Sequence, residues 1–472
     1  MLSLFVIGYL LLTILVGIWA ARRVSSAEDY ALAGRGLSLG LSATSLFATW
    51  FGSETLLGAS AEFVEKGLMG IIEEPLGAIL SLTLIGLFFA KPIYQMKVMT
   101  FGDFFKIKYG ERAEFLSSLV MVFTFFGWIA AQFAAVGIVM NTLLGVPLFW
   151  ATVLGACIVV LYTYIGGMWA VSVTDLIQTV VIIGGLIFVF VSVILQVGGF
   201  EVIIAKTPAK HFEFLPESNP SAIANYVAAW MTLGLGAIPS QDIFQRVMSS
   251  KSEKVAVLTC YLAALMYMAI VFMPLITALT AHQLYPDLAK EDLQMILPQF
   301  VMQHSPLVLQ VCFFGALLSA IMSTASGAML APATVLAENI LKPLLKTKQD
   351  HSLLFLMRIS VVLMAVVSFA LTQMNGNIFE LAAMASASGL VSLFVPIWAA
   401  LYWKKYTPTG AVLSMLIGLS SWLLWNFLGE KEASFLGTPP VIVGFVCSFL
   451  AMLIGNRWGE IYQTPVSDAP ES

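Results

Sequence analysis

The stretch ATWFGSETLLG, residues 48–58, sets Thr49, Gly52, Ser53, Glu54 and Thr55 together inside a run that otherwise reads as membrane-buried. Polar groups at that depth are expensive and point to function. An unwound turn releases backbone carbonyls, and hydroxyls on a facing helix can complete an oxygen shell. Hard cations such as Na+ are held in this way, by oxygen rather than nitrogen or sulfur. Glu54 adds a second demand, because a carboxylate cannot cheaply stay ionised in a dry pocket without a partner, a proton or a cationic ligand.

Four other places carry comparable polarity. GIIEEPLG holds Glu73 and Glu74 near the start of a predicted span, close enough to the outer surface for solvated carboxylates to be the competing reading. IGGMWAVSVTDLIQ puts Asp175 in the first turns of another span. In LGLGAIPSQDIFQRVMSSKSE, Pro239 breaks a helix that then carries Ser240, Gln241, Asp242, Gln245 and Arg246. Arg246 is expected near the cytoplasmic end, in an i, i+4 pair with Asp242. GALLSAIMSTASGAML holds Ser319, Ala320, Ser323, Thr324 and Ser326, and its small residues equally suit close helix packing.

The elements that must position these groups follow from composition. The 472 residues are 59% hydrophobic and 11% charged, with a mean hydropathy of +0.92. A soluble domain would carry roughly 25% charged residues, so the chain reads as a polytopic membrane protein. Windows of about 20 apolar residues predict thirteen helices: 4–21, 36–63, 68–92, 114–141, 147–166, 170–197, 221–247, 254–282, 305–340, 352–374, 377–403, 408–428 and 437–456. The first run has no small-residue cleavage site behind it and reads as a retained helix rather than a signal peptide. No alternating strands of the barrel type occur, so the fold class is all-α.

Positive charge sets the expected orientation. With the N-terminus outside, cytoplasmic segments hold 18 of the 23 Lys and Arg residues, leaving Lys66, Lys206, Lys210, Lys290 and Lys431 outside. The C-terminus is then cytoplasmic, and all 23 basic residues fall near predicted membrane edges. The net charge of −4 is spread over many loops, without the footprint of a nucleic-acid binder. Cys157, Cys260, Cys312 and Cys447 all lie in apolar runs without paired spacing and read as inert buried thiols. The segment 283–304 suits a short surface helix, and the tail QTPVSDAPES reads as disordered.

The polar breaks at 48–58 and 234–241 fall in the second and seventh spans, five apart. Broken helices at matching positions of two five-helix halves mark a midplane binding site in an inverted-repeat transporter. The halves would run over 36–198 and 221–404, with 4–21 before them, 408–456 after, and a cytoplasmic tail at 457–472.

Several motifs, in order, carry a family resemblance: DYALAGRGL, ATWFG, GLFFAKP, the KYGER loop, YTYIGGMWAVSVTDLIQ, IPSQDIFQRVMSS and SAIMSTASGAMLA. Over essentially its whole length the chain resembles the sodium:solute symporter family, and within it the high-affinity choline transporter branch. The resemblance implies a LeuT-type 5+5 inverted repeat with one extra N-terminal and two extra C-terminal helices. It places Na+ on the backbone carbonyls of Ala48, Phe51 and Ala320 and the hydroxyls of Ser323 and Thr324. A second ion, or an ion-release position, would use Asp175, Ser323 and Ser326, although Gly327 stands where a further serine is expected. Of the branch's aromatic cage for quaternary ammonium, Trp50 and Trp128 match two positions, while Ser240 replaces a third. An ordinary packing role for Trp128 competes with that reading.

The expected function is Na+-coupled symport of a small polar organic solute with a cationic group, in the plasma or inner membrane. Trp50, Ser53, Glu54, Glu74, Trp128, Ser240, Gln241 and Asp242 are the expected solute contacts. A proton-driven symporter is the nearest alternative, since Asp175, Glu54 or Asp242 could carry the proton. A solute sensor built on a transporter fold is a further alternative, although no kinase or other signalling module follows the last helix. A channel would need a carboxylate ring or filter motif, and an enzyme a motif such as HExxH, GxSxG or a P-loop; neither is present. The only expected partners are the solute, Na+ and membrane lipid.

Overall fold

The structure is a computed structural model that describes residues 2–347, 349–374, 378–431 and 437–460. Among these residues every named element is helical, and β pairing is confined to one isolated bridge between Leu37 and Ser250. The helices used below are α1 (Leu2–Ala21), α2 (Leu39–Trp50), α3 (Glu54–Gln95), α4 (Phe101–Tyr109), α5 (Glu111–Leu144), α6 (Leu148–Val197), α7 (Pro220–Gly234), α8 (Gln241–Ser249), α9 (Glu253–Leu284), α10 (Leu307–Leu344), α11 (Asp350–Leu371), α12 (Glu380–Tyr402), α13 (Pro408–Lys431) and α14 (Pro440–Trp458).

Ten stretches among the described residues are long and apolar enough to cross a membrane, against the thirteen that hydropathy windows predict. The difference arises at breaks. The 50-residue α6 turns at Gly167 (φ 48°, ψ −140°), between the predicted spans 147–166 and 170–197. Only glycine suits that position, because an added Cβ would run into the Tyr30 carbonyl and ring. The 42-residue α3 leaves helical geometry at Gly67 (φ 64°, ψ −144°) and again at Glu74 (φ −130°, ψ 121°). The second and seventh predicted spans are interrupted, so α2, α7 and α8 are each too short to cross.

Polarity is inverted relative to a soluble protein. Leu11, Leu15, Phe123 and Leu195 are exposed, whereas Glu54, Asp175, Asp242 and Arg246 are buried. That arrangement suits a lipid solvent, which accepts apolar side chains and forces ionic groups inward. At the centre lies α10, buried without interruption from Phe313 to Val335. Its small residues let α6, α5 and α2 pack closely around it. The neighbouring α9 packs along α2 and both parts of α3.

One end of this assembly is held by main-chain bonds. Leu37 N–H donates to Ser249 O (3.0 Å), and Lys251 N–H donates to Leu37 O (2.9 Å). Arg35 reaches across to the Lys97 and Val98 carbonyls at 3.0 and 3.2 Å. Gln95 Nε2 donates to Glu253 Oε2 at 2.9 Å. The expected surface helix in 283–304 is present as Ile296–His304, with Ile296, Leu297 and Phe300 buried. All four cysteines are free, but of the four only Cys260 is buried; Cys312 and Cys447 are half-buried, and Cys157 is exposed because it lies on an outward face of α6. The tail sequence QTPVSDAPES lies outside the described residues.

Candidate ion and solute site

Two helix breaks meet at the middle of the molecule. The first follows Trp50, where Phe51 leaves helical space (φ −91°, ψ 69°), Gly52 follows, and the helix resumes at Glu54. A helix end leaves its last carbonyls without intrahelical donors, which frees oxygens near Ala48 and Phe51. The second break runs from Leu235 to Ser240, where Pro239 removes one backbone donor and the chain turns before α8 begins. Here backbone packs on backbone, since a Cβ on Gly389 of α12 would lie 2.7 Å from the Gly236 carbonyl.

On one side of the first break lie the oxygens that the resemblance assigns to Na+. Thr324 Oγ1 donates to the Ala48 carbonyl at 3.3 Å, bringing α10 against the freed end of α2. Ala320 sits one turn earlier on α10, and both Ala320 and Phe51 are fully buried. Ser323 turns aside and donates to Asp175 Oδ1 at 2.5 Å. Ser326 donates to the Ser323 carbonyl at 2.9 Å. The set is all oxygen, which fits a hard monovalent cation.

On the other side lies a cavity walled by Trp50, Glu54, Glu73, Glu74, Phe125, Trp128 and Ser240, with small residues of α12 opposite. Glu54 accepts from Gln132 Nε2 (2.7 Å), Trp128 Nε1 (3.1 Å) and Ser53 Oγ (3.4 Å). Glu74 is buried rather than solvated; it accepts from Thr55 Oγ1 at 2.6 Å and from the Tyr267 hydroxyl. The same Tyr267 hydroxyl lies 3.0 Å from the Trp50 carbonyl. Glu73 Oε1 is buried with no hydrogen-bond partner among the described residues. The Trp50 and Trp128 rings stand 6.5 Å apart at 77°, presenting one face and one edge rather than two parallel walls.

Three of the expected solute contacts stand behind this wall. Ser53 donates to Gln132 Oε1 at 2.9 Å and backs Glu54. Asp242 accepts from Trp50 Nε1 at 2.6 Å and from the Ser240 hydroxyl, which covers it from the cavity. Gln241 points elsewhere: its Oε1 accepts the Phe101 N–H at the start of α4 at 2.8 Å.

Arg246 requires the main correction. It is fully buried rather than solvated, and its Nη1 donates to the Asp242 backbone carbonyl (2.9 Å) rather than to that carboxylate. Its charge faces Asp175 instead, with Nη2 4.0 Å from Oδ2. Leu37 pairs with Ser249 and Lys251 at the end of α8, the helix that carries the arginine. Arg246 does not line the solute cavity. Gln132 and Tyr267 were also not expected at the site. Each is a lone polar side chain inside an apolar run, and that isolation is the signal that could have singled them out.

Comparison with known proteins agrees with this geometry. The chain is 30% identical over 437 residues to the high affinity choline transporter 1 of Homo sapiens, covering 88% of this chain and 75% of that protein. It is 27% identical over 463 residues to the osmoregulated proline transporter OpuE of Bacillus subtilis, covering 94% and 92% of the two chains. It is 25% identical to the sodium/pantothenate symporter of Haemophilus influenzae over 444 residues, or 92% and 90%. In fold, a Na+-coupled sialic acid symporter superposes with a TM-score of 0.84 at 19% identity, over 98% of this chain and 99% of that one. MhsT in complex with L-phenylalanine gives 0.56 at 14% identity, over 89% and 98%. The model of the sodium:solute symporter family matches residues 30–418. With that match spanning most of its length, this multi-pass membrane protein is a member of the sodium:solute symporter family, a family of transporters rather than enzymes.

Proposed function

We propose that the chain is a Na+-coupled secondary active symporter that imports a small polar organic solute bearing a cationic amino or quaternary ammonium group. One observation carries the reading. The single broken segment 48–54 offers the Ala48 carbonyl to Thr324 on one side and Trp50 and Glu54 to the cavity on the other. An ion bound at the break between α2 and α10 fixes the pose of the residues that meet the solute. Coupling then requires only that ion and solute favour the same conformation.

The proposed layout is thirteen crossings: α1 first, five-helix repeats over 36–198 and 221–404, and two helices within 408–456. The N-terminus is outside and the tail from 457 is cytoplasmic. Solute binding lets a bundle of α2, α3, α7, α8 and α9 rock against the remainder, which agrees with the packing of α9 along α2 and α3. Relatives named for choline, proline and pantothenate support solute import with Na+ as the driving ion. Choline is not carried over directly from the relatives, because Ser240 stands where an aromatic wall is expected and Glu54 adds a carboxylate. An amino acid, amine or betaine-like compound suits that cavity better.

The reading is tested with purified protein in vesicles and a panel of amino acids, amines, betaines and sugars. Thermal stabilisation and uptake are measured in Na+ and in K+, since a bound ligand raises the apparent stability of the folded state. Cationic solutes should stabilise more strongly when Na+ is present. Uptake that persists unchanged in K+, driven by a pH gradient alone, would replace sodium by a proton.

A further inference from the structure

The surroundings of Asp175 do not suit a second ion. Asp175 is fully buried and accepts from Ser323 Oγ at 2.5 Å and Ser45 Oγ at 2.6 Å, so both hydroxyl protons point at the carboxylate. The cation facing it is the Arg246 guanidinium, 4.0 Å away and 1% exposed. That guanidinium is held on three sides: Nη2 donates to Thr49 Oγ1 (2.5 Å), Nη1 to Asp242 O (2.9 Å) and Nε to Ser45 O (3.3 Å).

Gly327 makes this pose possible. A Cβ built there would lie 2.6 Å from Arg246 Nη2 and 2.6 Å from Thr49 Cγ2. Contacts that short are not tolerated between packed atoms, and the guanidinium is pinned too firmly to yield. A serine at 327 would therefore require the guanidinium or Thr49 to leave this pose. The position where a further ion-binding hydroxyl is expected is the position that Arg246 and Thr49 crowd.

We propose that Arg246 is a tethered cation that takes the place of a second sodium at Asp175. The chain then binds one Na+, beside Ala48 and Thr324, and not two. This rests on the sodium reading above. An attached charge compensates the buried carboxylate at every sodium concentration, where leaving it alone would be strongly unfavourable. A free cation at the same place would meet a like charge only a few ångströms away.

The test counts ions and needs no knowledge of the solute. Equilibrium dialysis of the purified full-length protein against labelled Na+ should give one ion per chain, with a Hill coefficient near one in a parallel thermal titration. Thr324→Ala should bind well under one ion per chain at the concentration that just saturates wild type. The double variant Arg246→Ala/Gly327→Ser removes the tether and restores a hydroxyl, and should bind two. Two ions on wild type, or one ion that survives Thr324→Ala, overturn this inference and leave the sodium reading standing. No bound ion at all overturns both. If the double variant does not fold, the wild-type and Thr324→Ala counts decide the matter.

Discussion

Trp50 and Asp242 join the two helix breaks by a hydrogen bond of 2.6 Å from the indole N–H to the buried carboxylate. Trp50 also forms part of the cavity wall, and Asp242 lies four residues before Arg246, so one side chain touches both the solute compartment and the charged interior. Trp50→Phe keeps a ring face but leaves Asp242 one donor short. A lost bond to a charged group costs about 1.5–3 kcal/mol. A lower unfolding temperature and a solute affinity reduced by about one to two decades are expected, measured by thermal shift and uptake kinetics. Unchanged affinity with unchanged stability would show that the bond is idle.

Thr324→Ala removes one oxygen from the proposed Na+ position and should weaken sodium binding by about one to two decades, on the same reasoning about contacts to charged groups. Ser323→Ala should weaken it similarly and also lower thermal stability, because Asp175 loses a buried donor. The Na+ concentration for half-maximal uptake separates these variants. Equal half-saturation in Thr324→Ala and wild type would remove Thr324 from the ion site.

Glu54→Gln replaces the carboxylate facing the cavity by a neutral amide that can still meet Trp128 and Gln132. Binding of cationic solutes should fall by at least tenfold, while sodium affinity stays near wild type. A protonated Glu54 acting only as a hydrogen-bond donor is the alternative, since buried carboxyls neutralise readily. It predicts little change on going to glutamine. Calorimetric titration of the best-stabilising amine or amino acid against both proteins discriminates between them.

Asp175→Asn keeps hydrogen bonding to Ser45 and Ser323 but takes from Arg246 the carboxylate it faces at 4.0 Å. Breaking a buried pair in this way costs roughly 3–5 kcal/mol, so unfolding should occur at a markedly lower temperature and turnover should fall. Asp175 is absent from the cavity wall, and the ranking of solutes should therefore be preserved. A reordered solute preference would mean that Asp175 reaches the solute.

The two breaks were legible in the sequence because glycine, proline and clustered polar residues interrupt otherwise apolar runs. In the structure the first narrows to Phe51, Gly52 and Ser53, and the second spans Leu235 to Ser240. The cluster of Ser323, Thr324 and Ala48 was reached by resemblance, because hydroxyls among small residues equally suit plain packing. Arg246 was misread for a physical reason. It lies within QRVMSSKSE, which reads as the polar end of a span, and only the structure shows that its side chain turns inward, while Leu37 pairs across the end of this helix. Gln241 and Asp242 were grouped with the solute contacts by proximity in sequence. Adjacent helical residues face different directions, and here one reaches α4 while the other sits behind Trp50.

The bonds made by Leu37 and Arg35 have a mechanical meaning. They fasten the beginning of α2, the far end of α3 and the last turn of α8 into one knot, and Gln95 ties the start of α9 to it. Helices fastened at one end cannot slide past one another there; they can only swing together, as a lever with its handle at this knot. A passage at this end is then expected to open along the outer flank of the knotted group rather than through its middle. An engineered disulfide between Leu37→Cys and Ser250→Cys should accordingly leave turnover intact, and a transporter arrested by that bond would show that the knot has to come undone.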